Sequence, residues 1–204
     1  MDSAAPLAAS RRYLADTARA YSSLFFLDSP VAGILLLAGT FAYPNIGSAG
    51  LLAALVGLLV TRLFRFPASR NSIFVLNSLL VGLSIGAFYR RGMHLAILIA
   101  VGATLAVFVS AALADLFWRR ERLPVLVVPF LIVTTITALV ARQLAGLTPF
   151  VGYSEFTIGW LPYRVNEFFS LLGATFFTVH PVAGAIVQAV AGIPEDLKAV
   201  YRTA

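Results

Sequence analysis

Cysteine is absent from the 204 residues. That excludes a disulfide framework, a thiolate metal site, an iron–sulfur cluster and a cysteine nucleophile. Charge is scarce, with 12% of residues Asp, Glu, Lys or Arg. The few carboxylates form no paired acid–base set, no Ser, His and carboxylate order suits a catalytic triad, and no glycine-rich phosphate loop is present. Histidine occurs twice, as His94 and His180. Imidazole is a frequent haem or pigment ligand, but His94 stands beside Arg90 and Arg91 at a helix end and His180 stands directly before Pro181. Those positions suit an interfacial role and a capping role. We expect no enzyme activity, no cofactor and no metal. The lack of a buried Asp, Glu and His relay also argues against proton-coupled pumping.

What the chain has in abundance is apolar residue, 60% of the total, with a mean hydropathy of +0.90. Apolar runs near the length a bilayer requires fall at about 21–43, 47–64, 71–89, 94–117, 123–142 and 167–191. The expected fold is an all-α integral membrane protein of about six transmembrane helices, with the lipid bilayer as its first partner. The divisions expected are a cytoplasmic interfacial segment over 1–20, a transmembrane domain over 21–192 and a cytoplasmic tail over 193–204. The net charge of +6 comes from arginines placed between apolar runs, which points to topology and not to nucleic acid. With the N-terminus inside, eleven Lys and Arg residues fall on the cytoplasmic side, against Arg90, Arg91, Arg142 and Arg164 outside. We therefore expect both termini in the cytoplasm, in a multi-pass protein of a bacterial inner membrane.

One stretch returns. Phe25-Phe26-Leu27-Asp28-Ser29-Pro30-Val31-Ala32-Gly33 is echoed by Phe176-Phe177-Thr178-Val179-His180-Pro181-Val182-Ala183-Gly184, six identities over nine positions. This is an internal repeat. Proline has no backbone donor and cannot continue a helix through its ring, so each copy breaks there. Asp28 or Ser29 is placed to cap the segment that starts at Pro30, and His180 stands at the same place before Pro181. The expected object is a short half-helix, a turn at depth and a longer helix. An odd number of crossings separates the copies, so the repeat is inverted.

These residues resemble the urea transporter family. Phe25-Phe26 followed by Asp28-Ser29-Pro30 is similar to the start of each family repeat. Leu76-Asn77-Ser78-Leu79-Leu80-Val81-Gly82-Leu83 is similar to its Phe-Asn-Gly-x-Leu-Val-Gly-Leu, and Leu123-Pro124-Val125-Leu126-Val127-Val128-Pro129-Phe130 to its Leu-Pro-x-x-Thr-x-Pro-Phe. The resemblance implies inverted repeats around a narrow pore, with phenylalanines forming a slot for a flat solute and oxygens accepting hydrogen bonds from its amides. On that pattern Ser23, Phe26, Leu76, Asn77, Leu80, Val127 and Phe177 are candidate lining residues. Asp28, Pro30, Pro129, His180 and Pro181 break or cap helices. Ser23 and Ala174 stand at the family's glutamine position, Val127 at its threonine and Leu76 at its phenylalanine, so the oxygen ladder is depleted. The function implied is channel-like passive transport of a small neutral solute such as urea, in a homo-oligomer or larger membrane complex. The alternative is a non-conducting accessory subunit that retains the fold. It is favoured by the missing oxygens and by a sequence that holds one repeat plus the first helix of a second.

Overall fold

The computed structural model describes residues 15–23, 29–120, 127–149, 163–174 and 180–191. Helical residues 15–22 form α1. They are followed by α2 (Pro30–Thr40), α3 (Pro44–Leu63), α4 (Ala68–Phe88), α5 (Met93–Arg120), α6 (Val128–Ala141), α7 (Tyr163–Ala174) and α8 (Pro181–Ala191). Among the described residues the only β pairing is an isolated bridge between Tyr89 and Pro149.

Two helices, Pro44–Leu63 and Met93–Phe117, are long and apolar enough to cross a membrane. They match the expected runs at 47–64 and 94–117. The run at 71–89 falls on α4, whose apolar part, Ser72–Phe88, is slightly shorter. The first and last runs are not single spans. Both break at proline as the repeat requires, but the expected longer second helix is short in α2 and, within the described residues, in α8, with 11 residues each. At 1.5 Å per residue that is about 16 Å, roughly half of a bilayer's hydrocarbon core. For α2 the cause is visible. Phe41 turns its N–H back onto the carbonyls of Leu37 and Ala38, at 3.2 and 3.1 Å. Tyr43 is then extended before Pro44, where a proline disfavours helix in the residue ahead of it.

Thr17, Ala18 and Ala20 are buried, so α1 is part of the bundle and not a segment lying beside it. Its approach to α2 is close enough that a methyl group on Gly33 would collide with the Ala18 carbonyl oxygen.

The central pair is α3 with α4. A methyl on Gly82 or Gly86 would collide with Ala53 or Ala49, so these glycines set the distance between the two helices. The chain joins them at Arg65, which takes a left-handed φ of 52° while Phe66 donates to Thr61 O at 2.9 Å to close the end of α3. At the far end the side-chain amide of Asn45 donates to two carbonyls of α4's last turn, Gly86 O and Tyr89 O. On the other side of α4, the Ser78 hydroxyl donates to Ala103 O of α5 at 2.9 Å.

The largest apolar core joins Tyr21 of α1, Leu36 of α2, Ile46 and Leu58 of α3, Leu79 and Leu83 of α4, and Val187 and Val190 of α8. A second core joins α3 and α4 to α5 and α6 through Ala53, Val81, Ile99 and Val133. Charges sit at the two ends of this block. Asp16 pairs with Arg62 at one end, and Arg90 and Arg91 lie near Tyr89 at the other. The 20 residues of α3 between them amount to about 30 Å, the thickness of a bilayer's hydrocarbon layer.

Candidate functional site

The two copies of the repeated stretch meet. The Tyr43 ring, just beyond the end of α2, packs edge-on against the His180 ring at the start of α8, with centroids 5.5 Å apart. Nearer the middle of α8, a methyl on Gly39 would reach Ile186 at 3.6 Å. The end of one half-helix therefore lies beside the start of the other, so α2 and α8 run antiparallel.

Their construction matches, although the two caps take backbone donors one position apart. Ser29 is extended and caps α2, its hydroxyl accepting from Ala32 N–H at 3.4 Å while its carbonyl accepts from Gly33 N–H at 3.0 Å. At the equivalent place His180 Nδ1 accepts from Val182 N–H at 3.2 Å, and its carbonyl accepts from Gly184 N–H at 3.1 Å. Proline follows each cap, where a missing N–H costs nothing. Val31 and Val182 are exposed, whereas Ala32, Gly33, Ala183 and Gly184 are buried. The correspondence outlasts sequence identity, since Leu36 and Val187 are both buried, as are Gly39 and Val190.

A third proline-started helix is held differently. Asn77, fully buried on α4, accepts from Phe130 N–H through Oδ1 at 3.2 Å and donates through Nδ2 to Ile73 O at 3.0 Å. Phe130 N–H lies in the first turn of α6, where a helix start turns its donors to groups outside it. Residue Val127 makes no side-chain cap of its own. The Asn77 amide thus caps α6 from a neighbouring helix. That contact also ties α4 to α6.

The remaining candidates separate into groups. Ser23 is half-buried, and its hydroxyl donates to Ala20 O at 2.7 Å. Leu76 and Leu80 are buried on α4 with Asn77. Val127 is exposed at the turn before α6, and Pro129 is buried in its first turn. Pro30 is half-buried and Pro181 buried at the starts of α2 and α8. Phe26, Asp28 and Phe177 lie outside the described residues, as do Phe25 and Phe176. Among the described residues no group of three or more His, Asp and Glu is placed to hold a metal ion. The residue that sequence reasoning passed over is Asn45. It sits in a turn-like Tyr43-Pro44-Asn45-Ile46-Gly47, and its reach to the end of α4 has no local signature.

No curated protein matches the chain. The family model for the urea transporter matches residues 14–201, which takes in α1 through α8. With inverted half-helices and an asparagine-held break in the positions that its motifs occupy, the chain belongs to the urea transporter family.

Proposed function

We propose that the chain carries a small neutral solute such as urea passively across a bacterial inner membrane, with the antiparallel α2–α8 pair at the middle of the path. The observation that carries this reading is the meeting of two matched, capped half-helices that run in opposite directions. Each, at the 11 residues described, is too short to span a bilayer, so each has one end at depth, where polar backbone is tolerated only against protein or a water-filled passage. A narrow path walled by aromatic and aliphatic groups admits a planar neutral amide and rejects ions, whose desolvation costs far more. Membership of the urea transporter family supports urea as the solute. The excess of arginine at the proposed cytoplasmic ends supports six crossings with both termini inside. Ser23, Phe26, Leu76, Asn77, Leu80, Val127 and Phe177 remain the proposed lining. Of these, Asn77 and the two leucines act through the bundle that holds α6.

Stopped-flow light scattering on proteoliposomes tests the proposal. Urea flux above that of empty vesicles, reduced by Phe26→Ala, is the expected result. Flux equal to empty vesicles sinks it for the isolated protein. Constant co-purification with a larger complex in mild detergent, together with absent flux, would instead identify an accessory subunit.

A further inference from the structure

A groove runs between α3 and α5 at the end of the bundle that carries the α4–α5 link. Its α5 wall is Gly92, Leu95, Ala96 and Ile99, a single helical stripe, and its α3 wall includes Ala49 and Leu52. Small side chains leave a trough of about 200 Å³, with the exposed Arg91 at its mouth. From Gly92 to Ile99 the groove descends about 10 Å at 1.5 Å per residue. Apart from Ser48 of α3, whose hydroxyl donates to Asn45 O, the side chains lining it below Arg91 are apolar.

The geometry points to a binding site for one phospholipid with an anionic headgroup, its phosphate on Arg91 and the upper part of an acyl chain along Leu52, Leu95 and Ile99. Three observations favour this occupant. Among the described residues Arg90 and Arg91 have no carboxylate partner, so their charge is available to an outside anion. The groove opens beside the mouth of a bundle whose α3 spans about one hydrocarbon thickness, which sets Arg91 at headgroup level. A free phosphate would gain nothing from the apolar trough beneath the arginine, whereas a lipid gains both a charge pair and a buried chain. The site lies on the α3–α5 face and shares no residue with the proposed solute path, so failure of one leaves the other standing.

The test uses the purified full chain, relipidated with phosphatidylcholine and phosphatidylglycerol in equal amounts, and counts retained lipids by native mass spectrometry. The wild-type chain should hold one phosphatidylglycerol through delipidation. Arg91→Gln should lower that retention about fivefold, the worth of one cation near an anionic headgroup, and leave phosphatidylcholine unchanged. Ala96→Phe fills the trough and should lower both lipids, while Arg164→Gln, a cation on α7, should alter neither. Because Arg91 is exposed, Arg91→Gln decides the matter even where the bulkier variant fails to fold. Retention by Arg91→Gln equal to wild type overturns the proposal. So does displacement of phosphatidylglycerol by excess inorganic phosphate, which would reduce the site to an anion patch. Occupation of the groove by a second copy of the chain, seen as a dimer that Ala96→Phe dissolves, overturns it as well.

Discussion

The first and second copies of the repeated stretch are alike in construction and different in surroundings. Both start at a proline that follows a capping residue, and both bury the alanine and glycine that follow while turning the valine outward. Their caps differ in chemistry, a hydroxyl at Ser29 and an imidazole at His180. Their neighbours differ too. Both copies enter the core of α3 and α4, but the α2 copy is pressed against α1, whereas α8 packs on α7 and on α2 itself. The shared geometry therefore resides in the proline and the small-residue face. An acceptor at the cap is needed, but either of two side chains supplies it.

The widest gap between the copies should open at Gly33. A methyl there meets the Ala18 backbone, which cannot swing aside as a side chain would. Gly33→Ala should cost about 3 kcal/mol, the upper part of the usual range for overpacking. Thermal unfolding in detergent measures it against Val31→Ala on the exposed face of the same helix. Equal shifts for the two variants would mean that the α1–α2 contact tolerates a methyl and that the first copy is not specially tight.

A middle-sized effect should separate α6 from both copies, because its cap is borrowed from α4. Asn77→Ala removes both hydrogen bonds of a fully buried amide, to Phe130 N–H and to Ile73 O, at a cost of about 1–3 kcal/mol. Hydrogen exchange should show faster exchange in the first turn of α6 and little change in α2 and α8. Uniform acceleration across all three would show that Asn77 supports the whole bundle and not one helix start.

The smallest effect bears on the caps themselves. Ser29→Ala should cost about 1 kcal/mol, and His180→Ala a similar amount, whereas His180→Ser should be nearly neutral because a hydroxyl at the cap can accept from either the second or the third donor of the first turn. A loss for His180→Ser as large as for His180→Ala would move the weight from the cap to the edge-on packing with Tyr43.

Much of this was legible in sequence because proline and small residues act locally. Pro30 and Pro181 mark the breaks, and Ser29 and His180 stand where caps are required. The membership itself was carried by Asn77, Pro129 and the Phe-Phe-x-x-x-Pro stretches in order. What periodicity alone misjudged was length. The runs at 21–43 and 167–191 read as spans because apolar composition is continuous through a turn, and hydropathy does not register where a helix stops. The burial of α1 escaped for a related reason, since Asp16 and Arg19 give its sequence a surface character while Ala18 and Ala20 pack inward. The reach of Asn45 and the pairing of Asn77 with Phe130 connect residues more than forty positions apart. No local pattern encodes such distances.

Asn45 has a mechanical consequence. A helical hairpin tied by its chain at one end is free to splay at the other, like a hinge. Here the amide clasps the open end, so α3 and α4 behave as a closed frame that resists spreading. Any widening or narrowing of a passage through this protein then falls to the short capped pieces leaning on that frame, whose ends are fastened by one or two hydrogen bonds each.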